Sequence, residues 1–280
     1  MSATPLLWGA KLHHLQITTQ RLPEMTAFYQ RGFGYEVHHL DSGGVYLAGG
    51  ERRLLLGHGK PKSVKMAAYA MPDGEKLKAL RKHVRAQNIP VLAAPTPLFQ
   101  EGAFGVEDPD GRLLVFGTPE PEAPLRDKLP GRLQHLVVTT LNLPRTRSFY
   151  REALGFVESD LVLTEDGALT TVFLRSDPEH HSFAAFRADE LRLDHHSLEV
   201  PDWNAIRDWG DHFGSLHEPI AWGPGRHGPG NNLFFMLFDP DQNWVELSAE
   251  LEHMPPEMAA REWPHNEHTL NLWGKGYLRS

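Results

Sequence analysis

The 280-residue chain has no cysteine, which excludes a disulfide framework and a thiolate metal site, so any metal must be held by imidazole and carboxylate. Long apolar runs are missing too. The N-terminal MSATPLLWGAKLHH has no basic segment leading into a hydrophobic one, and nothing approaches the roughly 20 residues of a membrane helix. Cations are scattered, 28 Lys and Arg against 36 Asp and Glu, so the basic stripe of a nucleic-acid binder is absent. These absences lead to the expectation of a soluble, cytoplasmic protein that partners neither nucleic acid nor membrane. Histidine, by contrast, is plentiful at 17 residues, and position must decide which of them carry chemistry.

The chain repeats itself. HLQITTQRLPEMTAFYQRGFGY, from His14, aligns without gaps to HLVVTTLNLPRTRSFYREALGF, from His135, and the pairs His14/His135, Pro23/Pro144, Phe28/Phe149 and Gly34/Gly155 all lie 121 positions apart. Each copy reads as an alternating strand, a Pro-started helix with an aromatic pair, a Gly stop and further strands. A weaker half-repeat joins KMAAYAMPDGEKLKALRKHV, from Lys65, to HHSLEVPDWNAIRDWGDHF, from His195, and each copy closes on a turn and strand, DPDGRLLVFG and DPDQNWVELS. The expected fold is therefore α+β, four βαβββ units forming two tandem barrel-like domains, 1–120 and 121–280. A Pro-rich, charged linker, TPEPEAPLRDKLPGR (118–132), falls between them.

Comparison of the copies locates the chemistry. Aligned on Pro201, the place of His196 is Ala67 in the first copy; aligned on the DPD turn, the place of Glu246 is Val115. His14 alone survives there. The second copy thus holds His135, His196 and Glu246 on three separate strands, the two-histidine, one-carboxylate pattern of non-haem Fe(II) oxygenases. Glu246 lies between Val245 and Leu247, and strand alternation turns it away from both, where a buried carboxylate needs a partner. The adjacent pair His195 and His196 must split between faces. His196 is preferred because HSLEVPD matches HLVVTTLNLP in phase when the histidine leads, with His195 as the other reading.

One more segment demands explanation, GPGRHGPGNN (223–232), followed by LFFMLF. Its glycines satisfy G-x-G-x-x-G, but Pro224 and Pro229 interrupt it, and Leu233 to Phe238 reads as a buried strand rather than a phosphate-facing helix.

From about His14 to Glu250 the chain resembles the type I extradiol ring-cleavage dioxygenases of the vicinal oxygen chelate superfamily, through its FYREALGF-type helix ends, its DPD turns and the four positions above and below. The resemblance implies that His135, His196 and Glu246 ligate Fe(II), with Mn(II) possible for the same donors. It also implies that His181 of HHSFAAF (180–186) is the acid–base histidine and that His227 is the histidine held by a loop over the substrate. Phe186 and Met236 would contact substrate. Met236 is a departure, since the family usually has a tyrosine there. The implied function is cleavage of a catechol-type ring with O2, giving a muconic semialdehyde type of product. The partners implied are an aromatic diol and O2, and a homo-oligomer is expected. Two alternatives stand beside it: another metal enzyme of the superfamily, an isomerase or hydrolase, and a metal-free binding module. Phe173, Leu198 and Phe234 are further candidates for an apolar lining. The tail WPHNEHTLNLWGKGY reads as a cover over the site, with His265 and His268 as solvated polar residues.

Overall fold

The structure is a computed structural model and describes residues 5–121 and 129–278. Residues 122–128 of the predicted linker lie outside the described residues. The two copies build two sheets of matching topology. In the first, β1 (Lys11–Thr19) pairs in parallel with β4 (Arg52–His58) and antiparallel with β5 (Ser63–Ala70). Beyond β4 lie β3 (Val45–Gly49) and β2 (Glu36–His39), and beyond β5 lie β7 (Leu113–Gly117) and β6 (Phe104–Glu107), giving the order β2-β3-β4-β1-β5-β7-β6.

The second sheet repeats that order with β8 (Arg132–Thr140), β9 (Val157–Leu163), β10 (Leu169–Arg175), β11 (Phe183–Arg187) and β12 (Leu193–Val200). β13 (Trp222–Arg226), β14 (Leu233–Phe238), β15 (Trp244–Ala249) and β16 (Arg261–Pro264) complete it, in the order β13-β14-β15-β12-β8-β11-β10-β9-β16. Three of the four units are βαβββ. The second is one strand short, and a lone bridge between Leu92 and Gly105 stands where β13 stands in the fourth. The strand Trp222–Arg226 takes in residues 223–226 of the expected glycine loop, whereas Leu233–Phe238 is the strand expected.

The helices start where capping residues place them. α1 (Leu22–Phe33) has Pro23 in its first turn and stops at Gly34 in the left-handed region (φ 70°). α2 (Gly74–Ala86), α3 (Leu143–Ser148) and α4 (Trp203–Ser215) are capped by Asp73, Asn142 and Asp202, whose side chains accept from backbone N–H groups three residues on. α3 widens into a π turn over Phe149–Ala153 before Gly155. α5 (Glu267–Leu270) is a single turn in the tail. No helix among the described residues is long and apolar enough to cross a membrane.

Central strands β1 and β8 are buried on both faces. One face packs with the helices into a core that runs through both copies, with Phe33 of α1 against Trp209 and Phe213 of α4. The copies are also joined by a reciprocal exchange. In each DPD turn the aspartate's Oδ1 accepts the turn's own N–H groups, Asp108 from Asp110 and Arg112, Asp239 from Asp241 and Asn243. The second oxygen, Oδ2, accepts a buried tyrosine hydroxyl from the other copy's helix: Tyr150 to Asp108 and Tyr29 to Asp239, each at 3.1 Å. The two sequence signatures of the repeat, FY and DPD, are therefore halves of one interlock.

Two stability measurements follow. Tyr29→Phe or Tyr150→Phe deletes one hydroxyl donated to a buried carboxylate, and each should cost about 1–3 kcal/mol in urea unfolding at neutral pH; an unchanged midpoint would show that the exchange is idle. Glu199 on β12 accepts from Leu251 N–H at 3.2 Å, and burial pushes its carboxyl up to about 7. Between about 4.5 and 7 the folded chain keeps a proton that the unfolded chain has released, so this group's contribution to stability falls as pH rises through that window. Glu199→Gln should accordingly gain on the wild type by about 1–2 kcal/mol between pH 5 and pH 8, and a gap that does not change with pH would refute the assignment.

Candidate metal centre and cavity

His135 on β8, His195 on β12 and Glu246 on β15 converge from three adjacent strands. Their ligand atoms lie within 4.8 Å of one another, and among the described residues they are the group so placed. His135 Nε2 is 3.1 Å and His195 Nε2 3.2 Å from Glu246 Oε2, and the two nitrogens are 3.2 Å apart. His196 does not take part. Ser197 pairs with His135 on one side and with Glu246 on the other, so these three share a face and His195, two residues along, shares it too. His196 points into the core beside Tyr29, with ring centroids 5.9 Å apart, neither ring nitrogen bonded, and its pKa lowered to about 3 by burial.

This corrects the phase inferred from the prolines. Pro144 lies inside α3, whereas Pro201 precedes the cap of α4, so the two are not equivalent. The helix starts are the better ruler. His14, His135 and His195 each lie eight residues before the first residue of the following helix, and the fourth position so defined is Met66. In the first copy the corresponding face is filled by Met66 and Val115 with Leu55, Ala68, Leu98 and Phe99, an apolar plug where the second copy has a cavity.

The residue just before each site histidine supports it. Asp194 Oδ1 accepts from His195 Nδ1 at 2.8 Å, and Gln134 Oε1 accepts from His135 Nδ1 at 2.5 Å. Adjacent strand residues normally face opposite ways, but strand pairing shifts by one residue at 134 and at 194, and such bulges re-aim a side chain. Sequence reasoning missed both supports. The signal was a polar residue before each histidine, and His13 before His14 follows it with a 2.8 Å contact between their Nδ1 atoms. With Nδ1–H donated backward, both Nε2 lone pairs face the carboxylate, a trio of acceptors that calls for a cation between them. Burial alone would raise the Glu246 carboxyl, yet the imidazoles of His135, His195 and His227 hold it well below the usual carboxylate range. Burial lowers His135; in His195 burial is outweighed by the carboxylates of Asp194 and Glu246, which leave it raised. Asn232 Nδ2 donates to Glu246 Oε1 at 3.1 Å and holds the outer carboxylate oxygen. The donor set, its convergence and its backing fit a divalent transition metal with open coordination positions.

A small cavity of about 30 Å³ lies around this trio. His181, His227, Phe186 and Met236, all named from the sequence, line it together with Phe173 and Trp222. Leu198 belongs instead to the core shared by the two copies, and Phe234 packs flat under His227, with centroids 3.8 Å apart. His181 stacks beside His135 at 4.2 Å, and burial with the neighbouring imidazoles of His135 and His180 keeps it well below the ordinary imidazole range. Met236 pairs with Glu246 across β14 and β15, which brings it to the cavity wall. The tail closes one side: Thr269 and Leu270 line the cavity, and His227 Nδ1 donates to the Leu270 carbonyl at 2.5 Å. Close approach of the tail explains two glycines of GPGRHGPGNN. A Cβ at Gly228 would lie 2.8 Å from Thr269 O and from the Trp263 ring, and one at Gly225 would lie 2.6 Å from Asn271 Oδ1.

The chain belongs to the Glyoxalase/Bleomycin resistance protein/Dioxygenase superfamily, whose sequence profile matches residues 11–116 and 132–247. Metapyrocatechase 2 of Cupriavidus necator is 30% identical over 150 residues, 52% of this chain and 45% of that protein, so the match spans less than half of its length. Among solved structures, homoprotocatechuate 2,3-dioxygenase from Arthrobacter globiformis superposes with a TM-score of 0.80 at 22% identity, covering 99% of this chain and 91% of that one. The 2,3-dioxygenase LapB from Pseudomonas sp. KL28 gives 0.80 at 20% identity, covering 91% and 96%. At these identities the structures share the fold of two tandem domains.

The geometry separates the two adjacent histidines experimentally. Purified under conditions that load a divalent metal, His135→Ala, His195→Ala and Glu246→Ala should each lose stoichiometric metal by elemental analysis, whereas His196→Ala should retain it. Metal loss in His196→Ala with retention in His195→Ala would reverse the assignment.

Proposed function

We propose that the chain is an Fe(II)-dependent extradiol dioxygenase that cleaves an uncharged, apolar catechol with O2, with Mn(II) acceptable to the same two-nitrogen, one-oxygen donors. In this reading residues 1–120 form a domain without a metal site and 121–280 form the catalytic domain. The observation that carries it is the meeting of the His135, His195 and Glu246 trio with two further imidazoles, His181 and His227, in one apolar cavity. Fe(II) held by the trio would bind the diol and O2 together and let electron density pass from ring to oxygen.

The protein's own groups then do the rest. His181, kept neutral, takes a proton from the diol and returns it as an acid when the O–O bond breaks. His227 has its Nδ1–H committed to the Leu270 carbonyl, so Nε2 is its acceptor for a substrate hydroxyl, a contact that Met236 in the family's tyrosine position cannot make. Both oxygen atoms enter the product as the ring opens beside the diol. Phe173, Phe186, Trp222 and Leu270 surround the ring and exclude water. No lysine or arginine is among the lining residues, so a carboxylated catechol would bring a charge with no counter-charge beside Glu246. The isomerase and hydrolase reading is weaker because such sites more often use a fourth protein ligand. A metal-free binding module is disfavoured because the trio has decayed in the first copy alone.

After anaerobic loading with Fe(II), admission of air with 3-methylcatechol should give a yellow ring-fission product and one O2 consumed per product. 3,4-Dihydroxyphenylacetate should be a poorer substrate by at least about tenfold in kcat/KM. His181→Ala should keep its metal and lose roughly 10²–10⁴ in kcat. Absence of O2 uptake with every catechol tried would sink the dioxygenase reading, and preference for the carboxylated ring would sink its substrate class.

A further inference from the structure

We propose that His180 and Asp160 form a positioning relay behind His181, fixing its imidazole with the proton on Nδ1 and the Nε2 lone pair toward the cavity, and that the C-terminal strap locks this relay. The catalytic half of the proposal rests on the reading of His181 as the proton-transfer group.

Donors and acceptors on two buried rings decide the tautomers. The Asp160 carboxylate, on β9 and fully buried, can only accept, so the contact of 2.8 Å to His180 Nε2 requires a proton on that nitrogen. A neutral His180 then has a bare Nδ1. That atom lies 2.9 Å from His181 Nδ1, and two buried lone pairs cannot face each other at that distance, so His181 must donate from Nδ1. Burial holds His180 below the ordinary imidazole range, in keeping with a neutral ring. With Nδ1 committed, Nε2 is the nitrogen His181 has left for the cavity that it lines. The opposite tautomer would turn an N–H to the diol and leave no base.

The far end of the relay belongs to the tail. Arg261 of β16 donates to Asp160 through Nε at 2.8 Å and Nη2 at 3.1 Å, and Trp263 Nε1 donates at 2.9 Å. Arg261 is itself held by Glu252, at 3.0 and 2.7 Å. These contacts saturate Asp160 and fix its orientation, so that its remaining acceptor site faces His180. When His181 takes a proton at Nε2, the resulting cation keeps its Nδ1–H on His180, and the Asp160 charge stabilises the pair. The arrangement resembles in logic a carboxylate that orients an imidazole through its back nitrogen, here with a second imidazole interposed.

The test uses the 280-residue chain and two variants, His180→Phe, which offers no acceptor, and His180→Gln, whose amide oxygen can accept from His181 Nδ1. In metal-free wild type, nitrogen-15 NMR of labelled histidine should show His181 protonated at Nδ1 and unprotonated at Nε2. His180→Phe should lose that single tautomer and His180→Gln should keep it. In the Fe(II)-loaded enzyme, His180→Phe should lower catechol kcat about 10- to 100-fold with KM within about twofold, and His180→Gln should recover most of the loss. A wild-type His181 protonated at Nε2, or a folded His180→Phe with unchanged tautomer and unchanged kcat, would overturn the relay. If wild type cleaves no catechol, the dioxygenase reading fails, and the metal-free spectra still uphold or overturn the relay by themselves.

Discussion

The exchange of tyrosine hydroxyls between the two copies is the constraint on which the molecule rests. Tyr29 reaches Asp239 and Tyr150 reaches Asp108, so each copy's helix satisfies the carboxylate that organises the other copy's final turn. A buried carboxylate without partners is costly; each of these oxygens takes one donor from its own copy, Arg112 Nη1 at Asp108 and Asn243 Nδ2 at Asp239, and the tyrosine hydroxyl from the other copy. The turn in question launches the strand that carries Glu246 in one copy and Val115 in the other. The first copy is thus part of the scaffold of the candidate metal centre, since it supplies Tyr29 to the turn from which β15 begins.

That dependence explains how the copies diverged without losing their common frame. The interlock, the helix positions and the core running between the copies are common to both. The inner face of each sheet was left to vary. In the first copy Met66 and Val115 close it with leucine, alanine and phenylalanine. In the second, apolar residues are divided into two groups, one around Val137, Phe173 and Phe186 and the other around Trp222, Phe234 and Met236, and the polar trio occupies the space between them. Such an apolar surround strengthens every interaction among the imidazoles and the carboxylate.

The tail ties these parts together. It pairs with β9 through β16, seats Arg261 and Trp263 on Asp160, lays Thr269 and Leu270 over the cavity and accepts the proton of His227 through Leu270. It can do so because Gly225 and Gly228 present no side chain at the contact. The glycines of GPGRHGPGNN therefore serve the packing of the strap, and the position of His227 follows from that packing.

Much of this was legible in the chain itself. The 121-residue repeat, the capping residues and the paired turns define two tandem α+β halves, because strand alternation, helix starts and turn chemistry are local properties that residues carry with them. His135 and Glu246 were also legible, since a histidine or carboxylate in an apolar strand demands a partner, whereas His181 and His227 lie outside the strands and were reached only through the family resemblance. The choice between His195 and His196 was not legible. It turns on which face each residue presents, a one-residue slip reverses that, and proline positions mislead because Pro144 and Pro201 lie on different sides of their helix caps. The bulges at Gln134 and Asp194 exist only in the pairing of strands distant in sequence, as do the hydrogen bonds from Arg261 and Trp263 to Asp160. The sequence by itself determined the elements and the chemistry available; tertiary structure alone decided which imidazoles face one another, because facing is set by long-range register.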